Sequence, residues 1–383
     1  MFRFGSWGKT PKRSALALGL TLLLPALASG QSWVWTTESV DTSGIATSLA
    51  VDQYGNLNIS YGNNSGLNYG FRSVNESQWF KMLIDSHGVN YTNLKLDRQG
   101  NPHICVTHGM LPLRYTHFDG KKWILDEIGT DSTGIEFACA VAIGPNGTPH
   151  LTWYKLAPPN FAHVRYAVLR DGAWMTQTVD FDAQTGKWNS MILDSQGNPY
   201  ISYDAYIKGI MKYAHWDGNR WQVRAVDSRG QHGSDYNIGM GSSLVLDSQD
   251  NVRITYYTTS ELRYARRENQ TWIVQTVDSV SDHGSFQYRS ALVIDKNGFP
   301  HISYEDLGAV KHAYWDGKQW RMQVISPRGS DPYRYSSMAM DSNRDILYIC
   351  YQDANDGALT LAIGQKVQEP EATATALKKE YKK

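Results

Sequence analysis

The sequence has little excess of charge and few cysteines. Its 383 residues include 37 Lys+Arg and 37 Asp+Glu, and the isoelectric point is near 7.2. Nucleic-acid binding requires concentrated positive charge, so this balance argues against nucleic acid as a partner. Three cysteines are too few, and odd in number, for the disulfide framework of a small secreted domain.

The sequence also lacks the local motifs of several enzyme classes. It contains no HExxH, CxxC, P-loop or GxSxG motif, which leaves zinc, nucleotide and serine-hydrolase chemistry without support. The acidic stretch DANDG at 353–357 lacks the spacing of an EF-hand loop, and we interpret it as a turn. No cofactor is therefore predicted, and structural calcium is unsupported.

Long apolar runs are absent except near the start of the chain. The run ALALGLTLLLPALA at 15–28 follows a basic segment and is interrupted by Pro25. This order is typical of a secretory signal peptide, and the run is short for a membrane span. We predict a signal peptide over residues 1–30, a secreted or periplasmic protein, and no membrane span after cleavage.

Aromatic residues, glycine and one internal repeat are abundant. The 13 Trp, 23 Tyr and 33 Gly favour a β-rich, turn-rich protein. The phrase LDSQGNPYISYD at 193–204 has six relatives, at 51–62, 96–107, 143–154, 246–257, 294–305 and 340–351. Successive copies are 45 to 53 residues apart, a period that indicates a repeat architecture.

Each repeat is predicted to contain four short strands. An apolar strand, a polar turn and an alternating strand precede a third strand, and an Asp-Gly turn such as Asp217-Gly218 leads to the fourth. Asp-Gly supplies the positive φ angles of a tight hairpin. Four-stranded units of this length are typical of a β-propeller. We therefore predict an all-β, seven-bladed propeller with four antiparallel strands per blade.

A tryptophan marks the fourth strand of each repeat and predicts how the ring closes. Trp35, in the N-terminal WTTESVD, precedes Asp41 by six residues, the spacing seen for Trp320 and Ser326 in the sixth repeat. The seventh repeat ends at LTLAIG (359–364) without its own fourth strand. We expect the N-terminal strand to complete the last blade, which removes an exposed sheet edge. The predicted domains are the propeller at 31–365 and a disordered, charged tail at 366–383.

The cysteines leave two readings open. Cys105 and Cys350 occupy the same position in apolar strands of two repeats, which is typical of buried structural thiols. A bridge between Cys105 and Cys139, in neighbouring blades, is also compatible with the pattern.

The repeats resemble those of bacterial secreted β-propellers of the BNR and sialidase-like group. The resemblance rests on LDSQGNPYISYD…KYAHWDGNRW, covers about residues 32–364, and implies the propeller fold. A sialidase Asp-box reads S-x-D-x-G-x-T-W. The turn here is the shorter D-G-x-x-W, and no arginine triad can be assigned, which disfavours a sialidase.

Two further resemblances concern function. Propeller polysaccharide lyases, including ulvan-type lyases, carry phrases similar to H-x-x-P-L-x-Y. HGMLPLRY at 108–115 is one residue longer, and the similarity implies either a catalytic role for His108 or an ordinary loop position. Lectin-like propellers bind sugars with repeated aromatic groups, and a tyrosine recurs at the second-strand end, as Tyr61, Tyr203, Tyr304 and Tyr351.

The loops that enter blades five to seven are among the longest, and long loops on a rigid scaffold are where sites are often built. Their His, Tyr and Arg residues suit β-elimination, in which Arg neutralises a uronate carboxylate and His or Tyr transfers the proton. The candidate catalytic residues are His232, Tyr236, His283, Tyr288 and Arg289. The candidate binding residues are His87, Tyr91, His108, Lys187, Trp188, Tyr203, Arg328, Tyr333 and Arg334.

Three functions fit these observations. The favoured one is a secreted, monomeric propeller that binds a polysaccharide or other glycan on its loop face, around the central channel. The first alternative is a lyase acting on a uronate-containing polysaccharide, which is favoured over a glycoside hydrolase. The second alternative is a protein-interaction scaffold of the cell envelope, and fold alone does not decide between the three.

Overall fold

The computed structural model describes residues 32–108, 111–128, 135–157, 161–182, 184–229, 238–281, 289–327 and 335–367. These residues form seven four-stranded antiparallel sheets arranged as the blades of a propeller. The predicted all-β, seven-bladed fold is confirmed. No helix of the described part is long and apolar enough to cross a membrane.

The strands follow one another in chain order around the ring. The chain begins with β1 (Ser32–Asp41). Blade 1 contains β2 (Ile45–Val51), β3 (Leu57–Asn63), β4 (Gly66–Arg72) and β5 (Phe80–Asp85). Blade 2 contains β6 (Tyr91–Leu96), β7 (Pro102–Thr107), β8 (Leu113–Phe118) and β9 (Trp123–Ile128). Blade 3 contains β10 (Ile135–Ile143), β11 (Pro149–Ala157), β12 (Phe161–Arg170) and β13 (Ala173–Thr178).

The second half of the ring repeats the same order. Blade 4 contains β14 (Ser190–Leu193), β15 (Pro199–Ala205), β16 (Ile210–Trp216) and β17 (Trp221–Asp227), with a short 3₁₀ helix at Tyr206–Lys208. Blade 5 contains β18 (Met240–Leu246), β19 (Val252–Tyr257), β20 (Glu261–Glu268) and β21 (Thr271–Ser279). Blade 6 contains β22 (Ala291–Ile294), β23 (Pro300–Asp306), β24 (Ala309–Trp315) and β25 (Trp320–Ser326). Blade 7 contains β26 (Ser336–Asp341), β27 (Ile346–Gln352) and β28 (Leu359–Val367).

The N-terminal strand closes the ring, as predicted. β1 pairs with β28, with Trp35 opposite Gly364, and the sheet order is β1-β28-β27-β26. Gly364 allows the close approach, because a Cβ there would lie 2.7 Å from the Trp35 ring. β28 extends to Val367, two residues beyond the predicted end of the propeller. The predicted signal peptide and most of the predicted tail lie outside the described residues.

The repeated tryptophan joins neighbouring blades. Trp320 of β25 packs edge-to-face on Tyr264, in the third strand of blade 5, with ring centroids 5.4 Å apart. The same contact recurs between Trp123 and Tyr69, Trp174 and Tyr115, Trp221 and Tyr166, and Trp272 and Tyr213. Trp35 completes the series against His312. Aromatic pairs in this geometry add stabilisation beyond their buried area, so the repeat fixes the blade-to-blade interface.

Removing one of these rings should weaken the fold without altering a binding site. We expect Trp320→Ala to lower the free energy of unfolding by about 2–3 kcal/mol, because it removes a partly buried ring and its contacts with Tyr264 and Trp315. Urea unfolding followed by circular dichroism would measure the loss. Gln319→Ala, at the exposed turn beside it, is the matched control, and an equal effect of both changes would contradict the assignment.

One disulfide crosses a blade interface. Cys105 of β7 and Cys139 of β10 are bonded, with a Cα–Cα distance of 6.2 Å, and both are fully buried. Of the two readings that the sequence left open, the bridge is the one found, while Cys350 is a buried free thiol. The bond links blade 2 to blade 3 within a shared apolar cluster.

Candidate functional site

The site is built from loops at one end of the propeller. In every blade, the loops between the second and third strands lie at the same end as those leading from the fourth strand to the next blade, because the strands alternate in direction. We call this end the loop face. The Asp-Gly turns of the repeat lie at the opposite end.

Four residues from different blades meet at the centre of the loop face. The Arg289 guanidinium carbon lies 3.3 Å from the ring centroid of Tyr91, 5.4 Å from that of Trp188 and 5.5 Å from that of Tyr335. Tyr91 begins the inner strand of blade 2. Arg289 and Trp188 lie two residues before the inner strands of blades 6 and 4, and Tyr335 lies one residue before that of blade 7. We call this set the channel-mouth cluster. Cation–π attraction at such distances holds the guanidinium in one orientation.

Several polar groups beside the cluster lack protein partners. Within the described part of the chain, Trp188 Nε1, Arg289 Nε and Asp204 Oδ2 are buried and accept or donate no hydrogen bond. Burial of Asp204 raises its pKa to about 6, against the opposing influence of the Trp188 amide and of Lys187. Burial also lowers the pKa of Lys187, whose ammonium lies 5.6 Å from the Trp188 ring centroid. Buried polar atoms without partners are where a ligand group or ordered water gains most.

An open cavity of about 500 Å³ lies on the loop face between blades 1 and 2. We call it the interblade pocket. Its wall combines amide side chains from three blades with two imidazoles and three apolar side chains. They are Asn63, Asn64, Asn90, Gln352, His87, His108, Ile45, Val89 and Leu111. Asn90 is followed directly by Tyr91, so the pocket and the channel-mouth cluster share one loop.

The pocket depends on close packing of the loop at 86–90. Gly62, at the end of the second strand of blade 1, lines the pocket beside Val89. A Cβ at Gly62 would lie 2.7 Å from the Val89 Cβ, so a larger residue would displace the loop. The sequence places glycine there although other repeats have Tyr, Asp or Glu at the equivalent position, as at Tyr257, Asp204 and Glu305.

His87 is the exposed imidazole of the pocket. Its side chain is 46% exposed, and its Nδ1 lies 2.6 Å from Asp85 Oδ1. Arg114 Nη1 lies 2.7 Å from both Asp85 Oδ2 and His87 Nδ1, and Arg114 also donates to Glu127. Burial opposes ionisation of Asp85, but the hydrogen bonds from His87 and Arg114 outweigh it and lower its pKa to about 2. Asp85 is therefore a carboxylate at neutral pH.

His108 lies deeper in the same pocket. Its Nδ1 contacts the carbonyl oxygen of Gly88, its ring centroid is 5.8 Å from that of His87, and its Nε2 is 3.8 Å from Asp85 Oδ2. Burial lowers the pKa of His108, so the ring is neutral at pH 7. The side chain is only 1% exposed, which suits a role in shaping the pocket.

The structure brings together some of the predicted site residues. His87 and His108 line the interblade pocket, Tyr91, Trp188 and Arg289 form the channel-mouth cluster, and Lys187 lies beside it. The remaining calls in the long loops lie outside the described residues. They are His232, Tyr236, His283, Tyr288, Arg328, Tyr333 and Arg334.

Tyr203 lies in the interior and not on a ligand-facing surface. It is fully buried, and its hydroxyl donates to Asp180 over 2.9 Å. Tyr61 and Tyr304 are equally buried, and their hydroxyls donate to Asp41 and Asp278. These three tyrosines of the predicted sugar-binding set therefore form hydrogen bonds between blades, and the fourth, Tyr351, is also buried.

Sequence reasoning missed three residues of the site. They are Asp85, Arg114 and Tyr335. A signal for Asp85 was present, since the second-strand tyrosine found in four other blades is Val106 in blade 2. No comparable signal marks Tyr335.

Within the described residues, no group of three or more His, Cys, Asp and Glu side chains could hold a metal ion. The side chains that line the pocket and form the cluster are mainly aromatic, amide and imidazole groups, which can stack or form hydrogen bonds.

The fold is a seven-bladed β-propeller of a kind found in proteins of different function. No family model matches the chain, and no curated protein matches it. Among solved structures, the polysaccharide lyase Uly1 is 9% identical, with a TM-score of 0.56 over 84% of this chain and 90% of the lyase. A protein of unknown function from Dyadobacter fermentans is 12% identical, with a TM-score of 0.50 over 86% and 98%. The SapL1 lectin, solved with α-methyl fucoside, is 12% identical, with a TM-score of 0.48 over 68% and 88%. At these identities the matches show the fold alone.

Proposed function

We propose that the protein binds a carbohydrate on its loop face, with the interblade pocket as the main subsite. The observation that carries the proposal is the composition of this pocket, about 500 Å³ in volume, whose wall presents amides, imidazoles and apolar side chains together. Pockets for small ligands combine apolar surface with a few directed polar groups. Sugars present both hydroxyl groups and apolar C–H faces, so this wall offers a partner to each.

The channel-mouth cluster supports the same proposal. Tyr91 directly follows the pocket residue Asn90 and leads to a surface of partly buried side chains, Arg289 and Tyr335, beside the buried Trp188. A glycan longer than one sugar could therefore continue from the pocket onto this surface. The propeller fold itself is shared with the polysaccharide lyase Uly1, which is compatible with a carbohydrate protein.

A glycan array with purified protein tests the proposal. We expect retention of at least one glycan, and a loss of affinity of about tenfold in His87→Ala and in Asn90→Ala, since each change removes one pocket hydrogen-bonding group. Asn219→Ala, at an exposed Asp-Gly turn on the opposite end, should bind as the wild type does. Absence of any retained glycan, or equal losses in all three variants, would count against a carbohydrate site here.

A lyase is the second candidate, because one observation favours it. The Asp85–His87 pair directs an exposed imidazole into the pocket, and a carboxylate-oriented histidine is a common general base. Arg114 is already held by Asp85 and Glu127, so a uronate carboxylate would have to be neutralised by another cation. Incubation with uronate polysaccharides should then generate ultraviolet absorbance from an unsaturated product. That absorbance should be absent with His87→Ala.

We also propose that the protein is exported. The buried Cys105–Cys139 bond supports export, since structural disulfides persist mainly in oxidising compartments. Expression of the full chain followed by fractionation would test this, with the mature protein expected outside the cytoplasm. Retention of the uncleaved chain in the cytoplasm would refute it.

A further inference from the structure

Four blades share a hydrogen-bonded clamp between neighbouring sheets. An aspartate at or just after the end of one fourth strand accepts a hydrogen bond from a tyrosine in the second strand of the next blade. The pairs are Tyr61–Asp41, Tyr203–Asp180, Tyr256–Asp227 and Tyr304–Asp278, with oxygen–oxygen distances of 2.6, 2.9, 2.7 and 2.6 Å. A cation completes each clamp, namely Lys81, Lys212, Arg263 and Lys311 respectively.

Blade 2 keeps two parts of this clamp and has lost the third. Asp85 ends the fourth strand of blade 1, and Arg114 of β8 pairs with it over 2.7 Å, as Lys212 of β16 pairs with Asp180. The position of the tyrosine is taken by Val106, which is fully buried and offers no hydroxyl group. Asp85 therefore lacks the tyrosine hydroxyl that donates to the aspartate in the other four clamps.

In three of the four clamps the tyrosine and the cation share one oxygen, Oδ2, which in Asp85 is the oxygen that Arg114 contacts. His87 instead contacts Oδ1 of Asp85. Its Nδ1 lies 2.6 Å from Asp85 Oδ1, and its backbone amide donates to the same oxygen over 3.1 Å. The departure from the repeat occurs in the blade whose loops form the interblade pocket. A structural clamp alone would not need an imidazole that is 46% exposed.

We infer that Asp85 is a positioning residue for His87: the carboxylate accepts from Nδ1–H and so presents the unprotonated Nε2 to the interblade pocket. The orientation of His87 by Asp85 does not depend on the proposed function. The role of Nε2 rests on it, since Nε2 would accept a hydrogen bond from a sugar hydroxyl in the carbohydrate site. The tautomer follows because the Asp85 carboxylate can only accept a hydrogen bond, so Nδ1 must carry the proton. A hydrogen bond from one ring nitrogen to a carboxylate commonly fixes the tautomer of a functional histidine.

The competing arrangement uses the other neighbour of Nδ1. Arg114 Nη1 lies 2.7 Å from His87 Nδ1, and a guanidinium can only donate. If that contact were the hydrogen bond, Nδ1 would be unprotonated and Nε2 would carry the proton. Arg114 already donates to Asp85 and to Glu127. An unprotonated Nδ1 at 2.6 Å from Asp85 Oδ1 would place its lone pair against a carboxylate oxygen, whereas Nδ1–H forms a charge-assisted hydrogen bond there.

Nitrogen NMR of the ligand-free protein with ¹⁵N-labelled histidine rings decides between the two. The His87 signals are assigned by their loss in His87→Gln. We expect a protonated Nδ1 and an unprotonated Nε2 in the wild type at pH 8, and a shift towards the Nε2–H tautomer in Asp85→Asn and Asp85→Ala. An Nε2–H tautomer in the wild type, or unchanged His87 signals in both variants, would overturn the inference.

Asp278→Asn is the matched control. It removes the carboxylate of an intact clamp that holds Tyr304 and Lys311 of blade 6. The residue two positions after Asp278 is Val280, whereas the residue two positions after Asp85 is His87. The control should change stability and leave the His87 signals unchanged. Because the tautomer is read without a ligand, a wild-type Nδ1–H tautomer in a protein that retains no glycan would refute the carbohydrate proposal and leave the role of Asp85 intact.

Discussion

Replacing His103 and His150 by asparagine is expected to make the protein less sensitive to acid. Between pH 7 and pH 4.5, the free energy of unfolding of the double variant should fall by about 5 kcal/mol less than that of the wild type. Both histidines are buried and contact a tyrosine hydroxyl through Nδ1, His103 with Tyr115 at 2.5 Å and His150 with Tyr166 at 2.6 Å. Burial lowers the pKa of each to about 4.

The direction follows from proton binding in the two states. Below the ordinary pKa of about 6.5, the unfolded chain binds a proton on each of these histidines, and the folded protein does not until about pH 4. The unfolded state is therefore favoured progressively as the pH falls through this window, by roughly 3 kcal/mol per histidine at its lower end. At pH 7 and above, neither state is protonated and the contribution vanishes.

Two buried carboxyl groups act in the opposite direction. Burial raises the pKa of Glu136 to about 7 and that of Asp204 to about 6, so the folded protein takes up these protons before the unfolded chain does. Acidification from pH 7 towards 4 relieves the cost of burying their charges, and the total pH dependence of the wild type is reduced. The difference between wild type and variant is free of this effect, because both proteins keep the two carboxyls.

The repeat itself supplies the replacement residue. Blade 1 has Asn58 where blades 2 and 3 have His103 and His150, and the Tyr69 hydroxyl donates to Asn58 Oδ1 over 2.5 Å. Asparagine should therefore accept the tyrosine bond without titrating. Urea unfolding at pH 7 and pH 4.5 gives the required free energies, with His163→Asn as a control outside these pairs. Parallel pH profiles of wild type and double variant would contradict the prediction.

Loss of the bond between Cys105 and Cys139 is expected to lower the free energy of unfolding by about 3–4 kcal/mol. The bond closes a loop with a sequence separation of 34 residues, and a loop of that length restricts the unfolded chain by this amount in the chain-entropy description. It also joins two blades that are otherwise held by packing and by side-chain contacts such as Asn93 with the Val141 amide.

Denaturant unfolding of the Cys105→Ala/Cys139→Ala variant measures this effect. Cys350→Ala is the matched control, since Cys350 is equally buried but unbonded and its replacement leaves a cavity of similar size. The double variant should lose more than twice what the control loses. Equal losses per cysteine would mean that the bond adds nothing beyond packing.

The repeat determined the architecture because its signals are local. The Asp-Gly turns and the fourth-strand tryptophans can be recognised from a few consecutive residues, and their recurrence along the seven repeats makes the interpretation stronger. Ring closure was also readable, since the strand missing from the seventh repeat is present at the N-terminus and Trp35 marks its register. Local signals have a limit at Tyr203: periodicity places a tyrosine at a strand end, but only the structure shows that its side chain is buried and bonded to Asp180.

The tertiary structure decided which residues meet. Arg289 lies about two hundred residues from Tyr91 in the chain, yet its guanidinium carbon is 3.3 Å from that ring, because the ring brings the inner strands of distant blades around one channel. The cysteine pairing was likewise decided by the packing of β7 of blade 2 against β10 of blade 3, which brings Cys105 next to Cys139. The sequence by itself determined a closed seven-bladed ring through its repeated turns and anchors. The repeat shows Val106 where other blades have a tyrosine, but only the packing of the blades decided that His87 lies against Asp85 in the wall of a pocket.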